Sequence, residues 1–108
     1  MPIEFIQRPA NLIDAAISQH IKTLGITIPI LNINAKLYLI GVNRLSCDLR
    51  NNNLMVRVGG GFEKFIEYIP KNHRYFERAL VVFMIKSGES LEWVVDTLKN
   101  GKKIINKI

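Results

Sequence analysis

The sequence predicts an α+β fold, in which a small antiparallel β-meander packs with about four α-helices in a single domain, residues 1–108. The chain has 108 residues, of which 48% are hydrophobic, so it can build one core. Three short segments near its middle alternate as β-strands do. The segments on either side, at about 10–24 and 73–100, have apolar residues at helical spacing.

The first element is an amphipathic helix over residues 10–24. Gly25 follows it as the expected C-terminal cap. The apolar stripe of this helix comprises Leu12, Ile13, Ala16, Ile17, Ile21 and Leu24. The next segment, ITIPIL, contains Pro29 and is therefore predicted to be extended chain or an edge strand.

Three strands form the predicted meander, with the sequences KLYLIG, RLSCDLR and LMVRV. Turns are expected at Gly41 to Asn43 and at Asn51 to Asn53. Side chains alternate along a strand, so Leu45, Cys47 and Leu49 share one face of the second strand. The basic side chains then fall on solvent-facing sides of neighbouring strands, namely Arg44, Arg50 and Arg57.

Three helices are predicted after the strands. The first of them begins directly after three glycines, and Pro70 is expected to end it. Its apolar stripe comprises Phe62, Phe65, Ile66 and Ile69. The next helix runs from about His73 to Lys86, and the last has the sequence LEWVVDTLKN, with Ser87 or Ser90 as its cap and Gly101 at its end.

The three consecutive glycines, Gly59, Gly60 and Gly61, raise the possibility of a phosphate-binding loop. A dinucleotide-binding fingerprint would need a third glycine where this chain has Lys64, and the P-loop motif is absent from the sequence. We instead expect a sharp turn with positive φ values and close backbone packing, which folds the next helix back onto the sheet. Such a turn leaves bare backbone beside Arg57 and Lys64.

The stretch LMVRVGGGFEKFIEYIPKN, Leu54 to Asn72, resembles the core signature of the growth-arrest-specific protein 2 related (GAR) domain of cytoskeletal crosslinkers. In that family a meander leads through an R-x-L-R stretch into M-V-R-V-G-G-G-W and then a short helix. Here RLSCDLR and Met55 to Gly61 occupy those places, and Phe62 replaces the usual tryptophan. The resemblance covers residues 31–72, so the flanking helices are additions to a GAR-like core.

Family members bind microtubules, so the resemblance implies a microtubule-binding, non-enzymatic domain with a basic face. The matching basic positions are Arg44, Arg50 and Arg57, and Lys64 lies close to them in the sequence. Family cysteines that hold zinc in some members are replaced here by NIN and KNHRYFER, and the one cysteine is Cys47. This departure from the family pattern predicts no metal site and no cofactor, with the flanking helices stabilising the fold instead.

The charge of the chain agrees with an acidic partner such as tubulin. The chain has 15 Lys and Arg against 9 Asp and Glu, a net charge of +6, and the whole surplus follows residue 35. Four lysines near the C-terminus are expected to add attraction to acidic tubulin tails: Lys99, Lys102, Lys103 and Lys107. Neither a signal-peptide pattern nor an apolar run long enough to span a membrane is found in the sequence. Together with the lone cysteine, this predicts an intracellular location. The resemblance implies, more narrowly, a location in the cytoplasm at the cytoskeleton, with the cilium one option.

Two other functions are also compatible with the sequence. A basic sheet with exposed aromatic rings would favour nucleic acid, although most rings occupy predicted core positions. A protein scaffold without tubulin contact would dock another cytoskeletal protein or a second copy, through Trp93, Val94 and Leu98 if exposed. Catalysis is poorly supported, because Cys47 falls on the apolar side of its strand and is expected to be a core thiol. The oligomeric state is left open.

Overall fold

The computed structural model describes residues 4–100, which form an α+β fold with a five-stranded antiparallel sheet and three helices. The elements are, in chain order, α1 (Leu12–Leu24), β1 (Ile30–Asn32), β2 (Leu37–Ile40), β3 (Asn43–Arg50), β4 (Asn53–Val58), β5 (Gly61–Lys64), α2 (Phe65–Ser87) and α3 (Leu91–Asn100). None of these helices combines the length and apolar character that crossing a membrane requires.

The predicted first helix is confirmed, and both of its ends are capped. The side chain of Asn11 accepts a hydrogen bond from the backbone N–H of Asp14, which satisfies a donor at the helix N-terminus. Gly25 adopts the left-handed conformation, with φ 64°, and its N–H donates to the carbonyl oxygen of Ile21.

The sheet is a simple meander in which every strand pairs with its neighbour in sequence, in the order β1-β2-β3-β4-β5. Strand β1, which follows Pro29, lies at one edge as predicted. The turn between β3 and β4 is made by Asn51 and Asn52, whose φ values are 51° and 64°. Two successive positive φ values are typical of a tight hairpin turn that suits the twist of the strands.

The sheet has an inner face covered by α1 and α2 and an outer face partly covered by α3. The inner core joins side chains from both helices and four strands: Ile17, Ile30, Tyr38, Ile40, Leu45, Cys47, Leu54, Val56, Phe65, Ile69 and Phe76. On the outer face, Val95 of α3 packs with Leu31 and Leu39 of β1 and β2. Helix α3 therefore covers the β1–β2 end of that face, and the predicted alternation in β3 and β4 is confirmed.

The prediction that Pro70 ends a helix is wrong, and for this reason the described residues contain three helices rather than about four. Helix α2 runs unbroken through Pro70, which is its sixth residue. At this position proline cannot donate the hydrogen bond to the carbonyl oxygen of Ile66, and its ring crowds that carbonyl, so it disfavours the helix by local rules. The Pro70 side chain itself is exposed. Buried side chains before and after it, Phe65, Ile69 and Phe76, hold both parts of α2 on the sheet.

The prediction that the three glycines join a strand to a helix is also wrong. Gly59 and Gly60 form the turn of the β4–β5 hairpin, and Gly61 begins β5. Of the three, Gly59 alone has a positive φ, 59°, and a Cβ added at any of them would meet nothing within 4 Å. The expected close backbone packing occurs instead at Gly41, where an added Cβ would lie 3.4 Å from the carbonyl oxygen of Phe76.

Candidate functional site: the basic outer face

The four basic residues predicted as a binding site all lie exposed on the outer face of β3, β4 and β5. Arg44 and Arg50 come from β3, Arg57 from β4 and Lys64 from β5. Each occupies an alternate position whose neighbours along the strand are buried or half-buried, such as Leu45 beside Arg44. We call this surface, together with the side chain of Lys36 just before β2, the basic outer face.

Phe62 anchors the centre of this face. It lies directly opposite Arg57 in the β4–β5 register. The guanidinium carbon of Arg50 is 4.1 Å from the centre of the Phe62 ring, and that of Arg57 is 5.5 Å from it. Both distances are within the range of cation–π attraction, worth about 0.5–1 kcal/mol at an exposed site. The ring therefore keeps two arginines together on the surface of the sheet.

The role of Phe62 was missed at the sequence level because it was assigned to the start of a helix. The pattern Phe62, Glu63, Lys64 is the signal for β5, since its first and last members share the outer face. Glu63 points the other way and accepts a hydrogen bond from Lys71 of α2 at 2.7 Å. This bond raises the pKa of Lys71.

One carboxylate lies among these basic groups. Oδ2 of Asp48 is 3.2 Å from the ammonium nitrogen of Lys36 and 3.8 Å from Nε of Arg50. The hydrogen bond from Lys36, joined by one from the backbone N–H of Leu49, lowers the pKa of Asp48. The basic outer face thus has five cations and one anion, because it comprises Lys36, Arg44, Arg50, Arg57 and Lys64 beside Asp48.

The structure does not bring all four predicted residues to one point. Arg44 lies six residues before Arg50 on β3, which is about 20 Å along a strand. It faces Leu39, next to the part of the sheet that α3 covers. Lys64 lies opposite Met55, which itself lies opposite Asp48. Arg50, Arg57 and Lys64 therefore form one group around Phe62, and Arg44 extends the charge toward α3.

The C-terminal lysines lie outside this description. Lys102, Lys103 and Lys107 fall beyond residue 100, and the side chain of Lys99 is also not described.

The positions of the aromatic rings separate two classes of ligand. Tyr38, Phe65 and Phe76 are buried in the core. Tyr75 and Trp93 are exposed, but they lie on helices rather than on the basic outer face. Among residues 4–100, Phe62 is the one ring on this face, and arginines occupy its surroundings. Base stacking usually needs a row of free rings, which the described part of the sheet lacks.

A second polar cluster lies in the core between the N-terminal segment, α1 and the sheet. Asp14 is fully buried and accepts hydrogen bonds from Nε and a terminal nitrogen of Arg8, each 2.8 Å long. It also accepts from the Tyr38 hydroxyl at 2.5 Å and from the Asn32 amide at 3.0 Å. Burial alone would raise the pKa of Asp14, but these bonds outweigh it and lower the pKa to about 2.

The residues that replace the family cysteines, and the histidine His20, do not fit a zinc site of the kind that some family members have. Asn32 stands in a stretch where the family has cysteines, and its amide donates to Asp14 and to the carbonyl oxygen of Ile6. Nδ1 of His20 lies 2.8 Å from the carbonyl oxygen of Ala16, and its ring packs edge-on against Phe65. In the described part of the chain, no group of three or more His, Cys, Asp or Glu side chains is arranged to hold a metal.

Comparison with known proteins agrees with the motif. The model of the Growth-Arrest-Specific Protein 2 domain matches residues 13–75, which is more than half of the chain. The matched range extends from α1 to the middle of α2 and contains all five strands, with Arg44, Arg50, Arg57 and Lys64. Separate comparisons with curated proteins and with solved structures found no match.

Proposed function

The chain belongs to the growth-arrest-specific protein 2 domain family, and from this premise we propose that it binds microtubules through its basic outer face. The family itself indicates a cytoskeleton-associated, non-enzymatic binding domain of the cytoplasm, whose partners are cytoskeletal proteins. Membership of this family does not favour the cilium over other locations. The step to tubulin, and to Arg44, Arg50, Arg57 and Lys64 as the contacting residues, is our proposal.

The observation that carries the proposal is the concentration of positive charge on an exposed sheet surface. Five basic side chains and one acidic side chain share the basic outer face. A single exposed ion pair contributes only about 0.2–1 kcal/mol, but several acting together give a binding face whose affinity falls as salt rises. The tubulin surface and its tails are acidic, so their charge complements this face.

The position of Phe62 supports the proposal, because contact with its ring restricts the side-chain conformations of Arg50 and Arg57. An arginine that moves freely loses side-chain entropy when it is fixed in a complex, about 0.5–1.5 kcal/mol for each ordered side chain. Contact with the ring at 4.1 and 5.5 Å fixes part of that geometry before binding. We therefore expect Arg50 and Arg57 to contribute more than the more isolated Arg44.

Co-sedimentation with stabilised microtubules over a salt series tests the proposal. The variant Arg57→Glu should weaken binding about tenfold, which corresponds to about 1.4 kcal/mol. Its matched control is Lys22→Glu, because Lys22 is also exposed but lies on α1, which covers the inner face. Both substitutions change the net charge by two units, so a difference between them reports the location of the charge.

Equal binding by Arg57→Glu and Lys22→Glu would overturn the assignment of the face. Duplex DNA and single-stranded RNA serve as competitors, each added in an amount that carries the same total charge as the microtubules. If either one abolishes pelleting, a nucleic-acid ligand is favoured instead. Circular dichroism of each variant checks that the fold is intact.

We further propose that the matched core and the flanking helices are one domain. Ile17 of α1 and Phe76 of α2 lie in the same core cluster as Leu45 and Val56 of the sheet. One cooperative unfolding transition is the expected result, and two separated transitions would contradict it.

A further inference from the structure

Helix α2 extends past the surface on which it packs. Its last buried residue is Leu80, and the helix continues to Ser87. A Cβ added at Gly41, in the turn between β2 and β3, would lie 3.4 Å from the carbonyl oxygen of Phe76 and 3.6 Å from Cβ of Leu80. The helix therefore passes the end of the sheet at these residues. Its remaining residues, about two turns, lie beyond the sheet.

The part of α2 beyond the sheet exposes large apolar side chains. We call residues 78–87 the α2 end. Its exposed apolar residues are Val81, Val82, Phe83 and Ile85, of which Ile85 is 73% exposed. Phe83 lies about two helical turns after the buried Phe76, so even the core-facing side of the helix is exposed here. A helix segment that is apolar on all sides is normally buried, so we expect a partner to cover the α2 end.

The charged side chains of the α2 end are all positive. Arg78 and Lys86 are exposed near its two limits, and no carboxylate lies between Arg78 and Ser87 in the sequence. Residues four apart form a ridge along a helix. One such ridge of α2 comprises Arg74, Arg78, Val82 and Lys86, all of them exposed. Cations therefore lie on both sides of an exposed apolar side chain, along about 18 Å of the helix.

The carboxylates nearest to the α2 end in the sequence do not lie on this ridge. Glu77 is one residue before Arg78 and therefore projects about 100° around the helix from it. Glu92 and Asp96 are exposed on α3, which packs on the outer face of the sheet, whereas α2 packs on the inner face. The sheet thus separates these two carboxylates from the exposed side of α2. Glu89, in the turn after the helix, is left as the carboxylate that follows the ridge directly, so the cations favour an anionic occupant.

We propose that the α2 end binds the surface of an anionic lipid membrane. Interfacial helices combine apolar side chains that enter the headgroup region with Lys and Arg side chains that reach the anionic headgroups. Val82 and Ile85 are the side chains that insert. Arg74, Arg78 and Lys86 contact the headgroups around them. This binding needs no membrane-spanning segment, because the helix lies on the surface of the bilayer.

A membrane fits the shape of the α2 end better than a folded acidic protein does. The apolar side chains project from a helix that extends past the sheet, so they form a convex surface. A protein partner needs a matching groove to cover such a surface, whereas lipid headgroups rearrange around inserted side chains. The inference does not rest on microtubule binding, because the basic outer face lies on the opposite face of the sheet from α2.

Flotation of the full chain with lipid vesicles, in the absence of tubulin, tests the proposal. The chain should float with vesicles of phosphatidylserine and phosphatidylcholine and should not float with vesicles of phosphatidylcholine alone. Ile85→Glu should weaken binding about tenfold, because a carboxylate is repelled from the anionic headgroup region. Its matched control is Ile66→Glu, which places the same charge at an exposed residue near the other end of α2 and should bind as the wild type does. Both positions are exposed, so both variants should fold, which circular dichroism checks.

A charge reversal locates the cations that contact the vesicles. Anionic vesicles also attract the basic outer face, so the effect of Arg78→Glu is compared with that of Arg57→Glu on that face. Both substitutions change the net charge by two units. Arg78→Glu should weaken vesicle binding about tenfold, and Arg57→Glu should weaken it much less.

Three results would overturn the proposal: no flotation with the anionic vesicles, equal weakening by Ile85→Glu and Ile66→Glu, or weakening by Arg57→Glu as large as that by Arg78→Glu. Two further measurements identify a different occupant when the chain does not float. Sedimentation velocity that shows self-association sensitive to Ile85→Glu would assign the α2 end to a second copy. Binding of polyglutamate that Arg78→Glu abolishes would assign it to an acidic protein. Because the vesicles are free of tubulin, these outcomes are independent of the proposed microtubule binding.

Discussion

Replacing Asp14 by asparagine tests whether the buried polar cluster stabilises the fold. The substitution keeps the size of the side chain but removes its charge and one acceptor oxygen. The new amide group would face the donors of Arg8, Tyr38 and Asn32, so donors in the core would lose their partner. Breaking a buried ion pair from one side costs about 3–5 kcal/mol. The Arg8 side chain is 31% exposed and can be hydrated, so we expect about 3 kcal/mol at pH 7.

The pH dependence of this loss of stability provides a second, independent value for the free energy that the Asp14 carboxylate contributes. The pKa of Asp14 is about 2 in the folded chain and 3.8 in the reference state, and each unit of difference is 1.36 kcal/mol. Because the folded pKa is the lower one, the stabilisation is present above about pH 5 and is lost as the pH falls toward 2. About 2 kcal/mol of the difference between wild type and Asp14→Asn should therefore disappear by pH 2.

Urea unfolding of both proteins between pH 7 and pH 2 measures these quantities. Asp48→Asn is the control, because Asp48 is also paired with cations but lies on the surface, and its loss should matter little. A difference between wild type and Asp14→Asn that stays constant across the pH range would refute the reasoning. A loss no larger than that of Asp48→Asn at pH 7 would refute it as well.

Two further predictions concern the turns and the lone cysteine. Gly41→Val should destabilise the fold by about 1–3 kcal/mol more than Gly59→Val in urea unfolding. Both glycines have positive φ, but only at Gly41 would an added Cβ meet neighbours, so equal losses would contradict the packing of α2 on the β2–β3 turn. Cys47 is 1% exposed, and burial raises the pKa of its thiol to about 12, so it should react with a thiol reagent only after unfolding; rapid reaction of the native chain would contradict its place in the core.

The sequence was sufficient for the parts of the fold that depend on local patterns. Alternation in β3 separated Leu45 and Cys47 from Arg44 and Arg50, because strand periodicity alone decides the face of each residue. The cap at Gly25 marked the end of α1 for a similarly local reason, since a left-handed residue is needed there.

Features that depend on distant contacts were not predictable in this way. Asp14 was a polar residue between apolar positions of a helix, and its burial depends on Tyr38, 24 residues away in the sequence. Pro70 breaks helices by local rules, but here core contacts on both sides keep α2 continuous. The place of Phe62 between two arginines follows from β5, which becomes recognisable only when the glycines are known to close a hairpin.

The most direct test of the central claim is lysine footprinting of the chain bound to microtubules. Lys64 lies on the basic outer face and Lys22 lies on α1, and both are exposed in the free chain. Acetylation followed by mass spectrometry should show Lys64 protected several-fold by microtubules while Lys22 reacts as before. Protection of Lys22 with undiminished reaction of Lys64 would contradict the basic outer face as the binding surface.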